Sequence, residues 1–338
     1  MGQIKYVCVS GFFGSGSSAV VDLLKEFKGY YECSAEIRVI KDPYGIVQLE
    51  NSLVNQWELI NSTAAITDFL QLCKICARKR GGPFSRAGLG YSESITPKFY
   101  QYAEEYVGEL SDYTYDGEYY YHKFKKPYYR YVTDRILFGI EYYSKRKIRT
   151  TSRNSSKCYY AHPSQERFNR ATQAFFSKIF ANKFEEGFST IILDQAISPN
   201  NTSVVHRYLE DAKMIIVDRD PRDMFIDDYL YAAYYEKDFF SSEAGKKYAL
   251  RQRALRESLP KNDDDILVIK FESLINDYEN TVQSIIAFLS LESTTHVLKG
   301  KYLIPDKSRK NIGIWRNYPE CKDAIQSIEN ELPDYCDS

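Results

Sequence analysis

Residues 5–24 read KYVCVSGFFGSGSSAVVDLL, and the fold follows from this stretch. Lys5–Ser10 is a short apolar run that stops at a glycine, the pattern of a buried strand. From Ser17 to Phe27 the residues Val20, Leu23, Leu24 and Phe27 recur at helical spacing. Between them Gly11, Phe13, Gly14, Ser15, Gly16, Ser17 and Ser18 form a bend of mostly small residues. Small residues let a backbone wrap an anion closely, and the helix N-terminus adds free N–H groups and a positive dipole end. The bend therefore reads as a phosphate cradle; the plainer alternative is an ordinary glycine-rich turn. Its spacing nearly matches GxxxxGK[ST], with Gly11, Gly16 and Ser18 in register. Ser17 stands where a nucleotide-hydrolysing enzyme carries lysine, which disfavours ATP or GTP hydrolysis.

Further strands are expected at Tyr31–Ile40, Thr190–Asp194, Lys213–Asp218 and Asp265–Lys270. Helices are expected at Ile46–Arg80, Val204–Glu210, Asp220–Tyr235 and Tyr278–Leu289. Asp220 is placed to cap its helix, with Pro221 at the first helical position and Asp223 three residues after the cap. Strands alternating with helices imply right-handed βαβ units. The expected fold class is α/β: a P-loop-type parallel β-sheet flanked by helices. The whole chain, residues 1–338, is expected to be one domain, with a mostly helical, Tyr-rich insertion or cap at residues 85–183.

Charged residues make up 27% and hydrophobic ones 43% of the 338, which excludes a disordered or fibrous chain. Lys plus Arg is 45 against 46 Asp plus Glu, so the chain as a whole is no polycation and no nucleic acid partner is expected. There is no run of ~18 apolar residues, so no membrane span is expected. The first residues lack the basic and small-residue pattern of a signal peptide. Seven scattered cysteines suit a reducing compartment, and a cytoplasmic location is expected. Cys73 and Cys76 form a lone CxxC without a second pair, so they read as structural, and no metal is expected.

Half of the 30 tyrosines fall between Tyr100 and Tyr160. Residues 119–131 interleave aromatic and basic side chains, and Lys145, Arg146, Lys147 and Arg149 make a second basic run. Aromatic faces beside cations suit sugar stacking, anionic glycans or single strands. The plainer reading is a helical cap whose tyrosines pack on the α/β domain.

At VDRDPRDMFIDDYL, residues 217–230, an arginine follows a strand of the sheet, where ligands of open α/β sheets bind. Here the sequence resembles the sulfotransferase family, which uses 3′-phosphoadenosine-5′-phosphosulfate (PAPS) as donor. Four segments carry the resemblance in order: GFFGSGSSAVVDLL, VDRDPRDMFIDDYL, ILVIKFESLINDYENTVQSIIAFLSLE and SRKNIGIWRNY. The Tyr-rich middle is not covered by them. The resemblance implies that the backbone of Gly14–Ser18 holds the 5′-phosphosulfate and that Arg219 holds the 3′-phosphate. It implies Arg309 at the same phosphate, and Gly313 and Trp315 beside the adenine.

Two positions depart from the family pattern. Gly14 stands where relatives carry Lys or Arg, and Asp227 where they carry a serine that touches the 3′-phosphate. Either a basic residue from elsewhere, Arg38, Lys41 or Arg309, fills in, or catalysis is weak, or the donor pocket is altered. The resemblance offers two places for the acceptor's general base, occupied here by Glu36 and Asp194. His162 is a third candidate on its chemistry alone. The implied activity is sulfuryl transfer to a hydroxyl acceptor, with no metal; if the Tyr-rich segment selects that acceptor, a carbohydrate or lipid-linked glycan is expected. Two alternatives stay open: a P-loop nucleotide kinase or NTPase using Asp218 at Mg²⁺, and a non-catalytic nucleotide-binding relative.

Overall fold

Five apolar segments build one all-parallel sheet in the computed structural model, which describes residues 5–81, 87–117, 127–145, 156–231, 238–259 and 263–337. Among the described residues the strands are β1 (Tyr6–Gly11), β2 (Tyr30–Glu32), β3 (Tyr113–Gly117), β4 (Ser156–Tyr160), β5 (Thr190–Asp194), β6 (Ala212–Asp218) and β7 (Ile266–Lys270). The sheet order is β2-β5-β1-β6-β7, while β3 and β4 form a separate antiparallel pair. The main helices are α1 (Ser17–Leu24), α2 (Ile46–Glu50), α3 (Leu59–Ala77), α4 (Phe99–Leu110), α5 (Tyr128–Tyr143), α6 (Gln165–Glu185), α7 (Pro221–Leu230), α8 (Ser242–Glu257), α9 (Phe271–Asn276), α10 (Tyr278–Phe288) and α11 (Lys322–Glu331).

Alternation along β1 assigns the layers. Tyr6 and Cys8 enter one apolar core with α2, α3, α4 and α6, whereas Val7 and Val9 enter the other with α1, α9 and α10. Strands covered on both faces read as continuous apolar runs, as these do. From β1 the chain runs outward to β2 on one side, and from β5 it crosses β1 to reach β6 on the other. That reversal opens a crevice at the carboxyl ends of β1, β5 and β6.

Several elements differ from expectation. β2 stops at Glu32 although Cys33, Ala35, Ile37 and Val39 are buried in alternation. Buried Tyr91 takes the place of a ladder strand there, its hydroxyl donating to the Glu36 carbonyl (2.7 Å) and accepting from the Arg38 N–H (2.6 Å). The expected helix Ile46–Arg80 is broken into α2, a π-helical turn at Asn51–Asn55, and α3. The Tyr-rich region holds the β3–β4 hairpin as well as helices, with the Tyr113 and Tyr160 rings stacked at 4.8 Å. Tyr106 and Tyr159 pack in the core, but α5 has no buried residue and presents Tyr128, Tyr129, Tyr142 and Tyr143 to solvent. Residues 119–126 with His122, the basic residues 146–149, and 232–235 at the expected end of α7 lie outside the described residues. Cys73 and Cys76 are both buried in α3. Among the described residues no helix is long and apolar enough to cross a membrane.

One buried carboxylate fastens the segment that walls the crevice. Glu26, fully buried, accepts from His296 Nε2 (2.8 Å) and from the backbone N–H groups of Gly300 (3.1 Å), Tyr302 (2.8 Å) and Leu303 (3.0 Å). Burial works against its charge, yet the His296 and backbone hydrogen bonds outweigh it and hold the carboxyl below the usual glutamate range. Its stabilisation is therefore present above the unfolded-state pKa of about 4.3 and is lost as pH falls through the lower folded value. Chemical denaturation should find Glu26→Ala destabilised by about 3–5 kcal/mol at neutral pH, the cost of breaking a buried pair. The gap between wild type and Glu26→Gln should shrink as pH is lowered below about 4.

Candidate functional site

The crevice is a cleft of about 690 Å³, walled by the glycine-rich loop, Arg219 and Asp227, and by Glu36, Arg38, Lys41, Asp194 and Gln195. Of the site residues expected from the sequence, Gly11, Phe13, Gly14, Ser15, Gly16, Ser17, Ser18, Glu36, Asp194, Arg219 and Asp227 all line it.

The loop is tight because its glycines permit it. Gly14 and Gly16 have φ of +74° and +81°, a region L side chains rarely enter. A Cβ at Gly11 would lie 2.0 Å from Ser15 Oγ, and one at Gly16 would lie 2.5 Å from the Phe271 ring. The Ser15 N–H donates to the Phe12 carbonyl (3.0 Å), closing the turn. Ser15 Oγ is buried with no partner. A buried hydroxyl without a partner is costly, and this one faces the Gly11 backbone.

Arg219 follows β6 and is only 4% exposed. Its guanidinium donates to the Gly14 carbonyl (2.6 Å), to the Asn311 carbonyl (2.6 Å) and to the Asp227 carboxylate, and it stacks 5.3 Å from the Phe271 ring. Its Nε is buried without a partner. The loop and the arginine thus share one cleft and touch. Asp227 occupies part of the fork expected for a phosphate. It also packs on the loop, since a Cβ on Gly14 would stand 3.1 Å from the Asp227 Cβ. The two departures from the family pattern are in contact with one another.

On the opposite wall the Ile37 N–H donates to the Asp194 carbonyl (2.9 Å), stitching the segment after β2 to the end of β5. This brings Glu36 and Asp194 together. Glu36 is paired with Arg38 (3.0 Å), whose Nε also holds Asp42 (2.8 Å). Asp194 Oδ1 is buried with no partner. Burial, then the charges of Glu36 and Glu32, push the Asp194 carboxyl up to about 6, against a smaller opposing pull from Lys41. Lys41 Nζ donates to Gln195 Oε1 (2.8 Å), and Gln195 Nε2 donates to Ser17 Oγ (2.8 Å). Burial and the neighbouring Arg38 lower the Lys41 pKa.

Three expected ligands lie off the cleft wall. Arg309 is exposed and turned to Asn276 Oδ1 (2.9 Å) and Asp306 (3.6 Å). Gly313 and Trp315 donate their backbone N–H groups to Asp223 (2.7 and 3.2 Å), and the Trp315 ring lies 4.5 Å from the Arg222 guanidinium. They hold the segment whose Asn311 carbonyl meets Arg219; Trp315 packs on a cation instead of walling the cleft. His162 stacks on Trp57 at 4.3 Å, also off the wall. Phe271, Tyr302 and Asn311 are among the further residues that line the cleft and were not singled out as site residues. Only Phe271 carries a sequence signal, as the residue directly after a strand of a parallel sheet. Among the described residues no group of three or more His, Cys, Asp or Glu side chains is arranged to hold a metal ion.

The model of the Sulfotransferase family matches residues 120–295, more than half of the chain. The chain belongs to the sulfotransferase family. Its enzymes take the sulfuryl group from PAPS. The match spans β5, β6 and β7 with the Arg219 motif; the glycine-rich loop precedes it. Similar solved structures include the sulfotransferase domain of the Synechococcus PCC 7002 olefin synthase, with a TM-score of 0.41 and 14% identity over 97% of this chain and 94% of that one. A sulfotransferase from Alicyclobacillus acidocaldarius gives a TM-score of 0.35 and 10% identity over 100% and 98% of the two chains. A sulfotransferase from Mycobacterium avium gives 0.36 and 11% over 98% and 76%. No curated protein matches the chain significantly.

For this sulfotransferase the loop makes a direct prediction. Gly16→Ala forces a side chain into the left-handed region and against Phe271, and urea denaturation should read a loss of at least ~1 kcal/mol. A variant as stable as wild type would mean that the loop tolerates another path.

Proposed function

We propose that this chain moves a sulfuryl group from PAPS to a hydroxyl of a carbohydrate or lipid-linked glycan. The observation that carries the reading is that the glycine-rich loop and Arg219 wall one cleft and are joined by the 2.6 Å bond from Arg219 to the Gly14 carbonyl. One doubly phosphorylated adenosine can then meet both.

The loop fits the 5′ end: Gly14 and Gly16, both at positive φ, curl its backbone around the head of α1. The N–H groups that open α1 and the hydroxyls of Ser17 and Ser18 add donors. Arg219 serves the 3′-phosphate, with Asp227 on its fork as a competing anion. When bound, the donor supplies an activated sulfuryl group whose leaving oxygen gains negative charge. Asp194 is the general base that takes the acceptor proton. Its Oδ1 has no partner, whereas Glu36 is tied to Arg38, and a carboxyl that titrates near the working pH is the better proton acceptor. A polar mouth with Glu36, Arg38 and the exposed rings of Phe13 and Tyr231 suits a hydroxyl-rich acceptor rather than an apolar one.

The kinase alternative loses ground because Asp218, its Mg²⁺ candidate, is held by Arg256 at 2.7 Å and 3.1 Å. The non-catalytic reading draws on Gly14 and Asp227, the two departures from the family pattern. We further read residues 1–338 as a single sulfotransferase-like domain with 85–183 as an insertion. A cytoplasmic setting agrees with seven free cysteines, six of them buried.

A thermal-shift titration tests the donor assignment. 3′,5′-ADP should raise Tm and ATP should not, because only a ligand of the native state stabilises it. Asp227→Asn should bind 3′,5′-ADP about tenfold tighter, the worth of one charge-assisted contact relieved of competition. No shift at millimolar 3′,5′-ADP would overturn the reading.

Labelled-sulfate transfer tests the base. Asp194→Asn should lower kcat by about 10²–10⁴-fold. The base works ionised, so wild-type kcat/KM should rise with pH through about 6 and level off above it. Full activity in Asp194→Asn, with loss in Glu36→Gln, would move the role to Glu36.

A further inference from the structure

The glycine-rich loop carries no cation of its own: Gly14 and Ser17 stand at the two positions where related or similar loops have one. Three cationic side chains reach the cleft from other parts of the described structure: Arg38, Lys41 and Arg219. Arg219 is committed to Gly14, Asn311 and Asp227. Arg38 is committed to the carboxylates of Glu36 and Asp42. Lys41 differs from both, because its hydrogen-bond partner is the neutral amide of Gln195 at 2.8 Å. An ammonium has three donors, so two of its N–H groups remain for a ligand.

We propose that Lys41 supplies the cation at the leaving phosphate that the loop lacks, and that Gln195 is its positioning residue. The geometry leads from the lysine to the loop without a gap. Lys41 Nζ donates to Gln195 Oε1, and Gln195 Nε2 donates to Ser17 Oγ (2.8 Å), the side chain at the position of the P-loop lysine. The ammonium is thus held one amide away from Ser17 of the loop. The backbone at Gln195 supports the assignment. It has φ +54° while its N–H donates to the Val9 carbonyl (2.8 Å), so the chain turns out of β5 in a conformation that costs a non-glycine residue about 1–2 kcal/mol. That turn places the amide on the cleft wall, between the lysine and the loop.

The inference rests on the sulfotransferase reading and adds a residue to it. In the transfer, the bond between sulfur and the bridging 5′-phosphate oxygen breaks and its electron pair stays on that oxygen. A new bond forms between sulfur and the acceptor oxygen, and the acceptor proton passes to Asp194. Lys41 acts on the oxygen that keeps the electron pair. A cation held at the place where charge develops lowers the barrier without reorganising during the reaction. Burial and the Arg38 charge lower the Lys41 pKa, so an anion brought beside it in the cleft offsets both and restores its charge.

The test is steady-state and single-turnover sulfate transfer by the full chain, with 3′,5′-ADP titrated into each variant. Lys41→Met should lower kcat by about 10²–10³-fold, as removal of one charge-stabilising donor does, with the acceptor KM little changed. Lys41→Arg should recover at least tenfold of that loss. Gln195→Leu should lower kcat by about tenfold in the wild-type background and by nothing further in Lys41→Met, the non-additivity of residues acting as one unit. A Lys41→Met kcat within threefold of wild type would overturn the proposal. So would an effect confined to the acceptor KM, or losses that simply multiply in the double variant. Wild type that transfers sulfate while Lys41→Met matches it sinks this inference alone; wild type that neither binds 3′,5′-ADP nor transfers sulfate sinks the sulfotransferase reading and this one with it.

Discussion

The guanidinium of Arg219 gathers pieces of chain that are far apart in sequence. It leaves the end of β6, reaches the Gly14 carbonyl in the loop after β1, pairs with Asp227 on α7, and meets the Asn311 carbonyl of the C-terminal segment. These three hydrogen bonds, one of them to a carboxylate, help make a charge this buried tolerable. The loop path, the direction of α7 and the course of residues 309–315 are therefore set together. Asp223 reinforces the arrangement from the same helix by accepting from the Gly313 and Trp315 N–H groups.

This knot also explains why two unusual residues occur together. Gly14 has a positive φ and rests against Asp227, so a long cationic side chain there would meet both a backbone and a steric obstacle. With a carboxylate on the arginine and no cation in the loop, the loop side of the cleft is poor in positive charge. Positive charge enters instead from the segment after β2, where Arg38 and Lys41 stand beside Glu36. The same segment is bonded to the end of β5 through Ile37 and Asp194, so the acid–base groups and the substitute cations share one support. Glu26 holds the neighbouring wall at Tyr302 and Leu303 by the same means, a buried charge saturated with donors.

Much of the scaffold was legible because local pattern and burial agree along it. β5 spans Thr190–Asp194 as its apolar run suggests, β6 differs by one residue at its start, and Asp220 caps α7 through the Arg222 N–H as its sequence context suggests. The misreadings fall where a distant side chain overrode local pattern. Alternation at residues 33–39 looks like a strand, but Tyr91 satisfies the backbone there and no ladder forms. Arg309 sits in the right motif, yet Asn276 and Asp306 draw it away. Trp315 packs on Arg222, a contact that no spacing rule encodes.

From the sequence alone come the order of strands and helices, the glycine-rich bend at the head of α1, and the arginine after β6. These depend on side-chain size, backbone freedom and hydrophobic period, which are properties of neighbours along the chain. Only the tertiary structure decided which carboxylate keeps an unpartnered oxygen, that Asp227 lies on the fork of Arg219, and that Lys41 reaches the loop through Gln195. The reason is physical: hydrogen bonds and ion pairs between groups far apart in the sequence are fixed by the packing of the whole sheet, and a charge takes whichever partner that packing brings within reach.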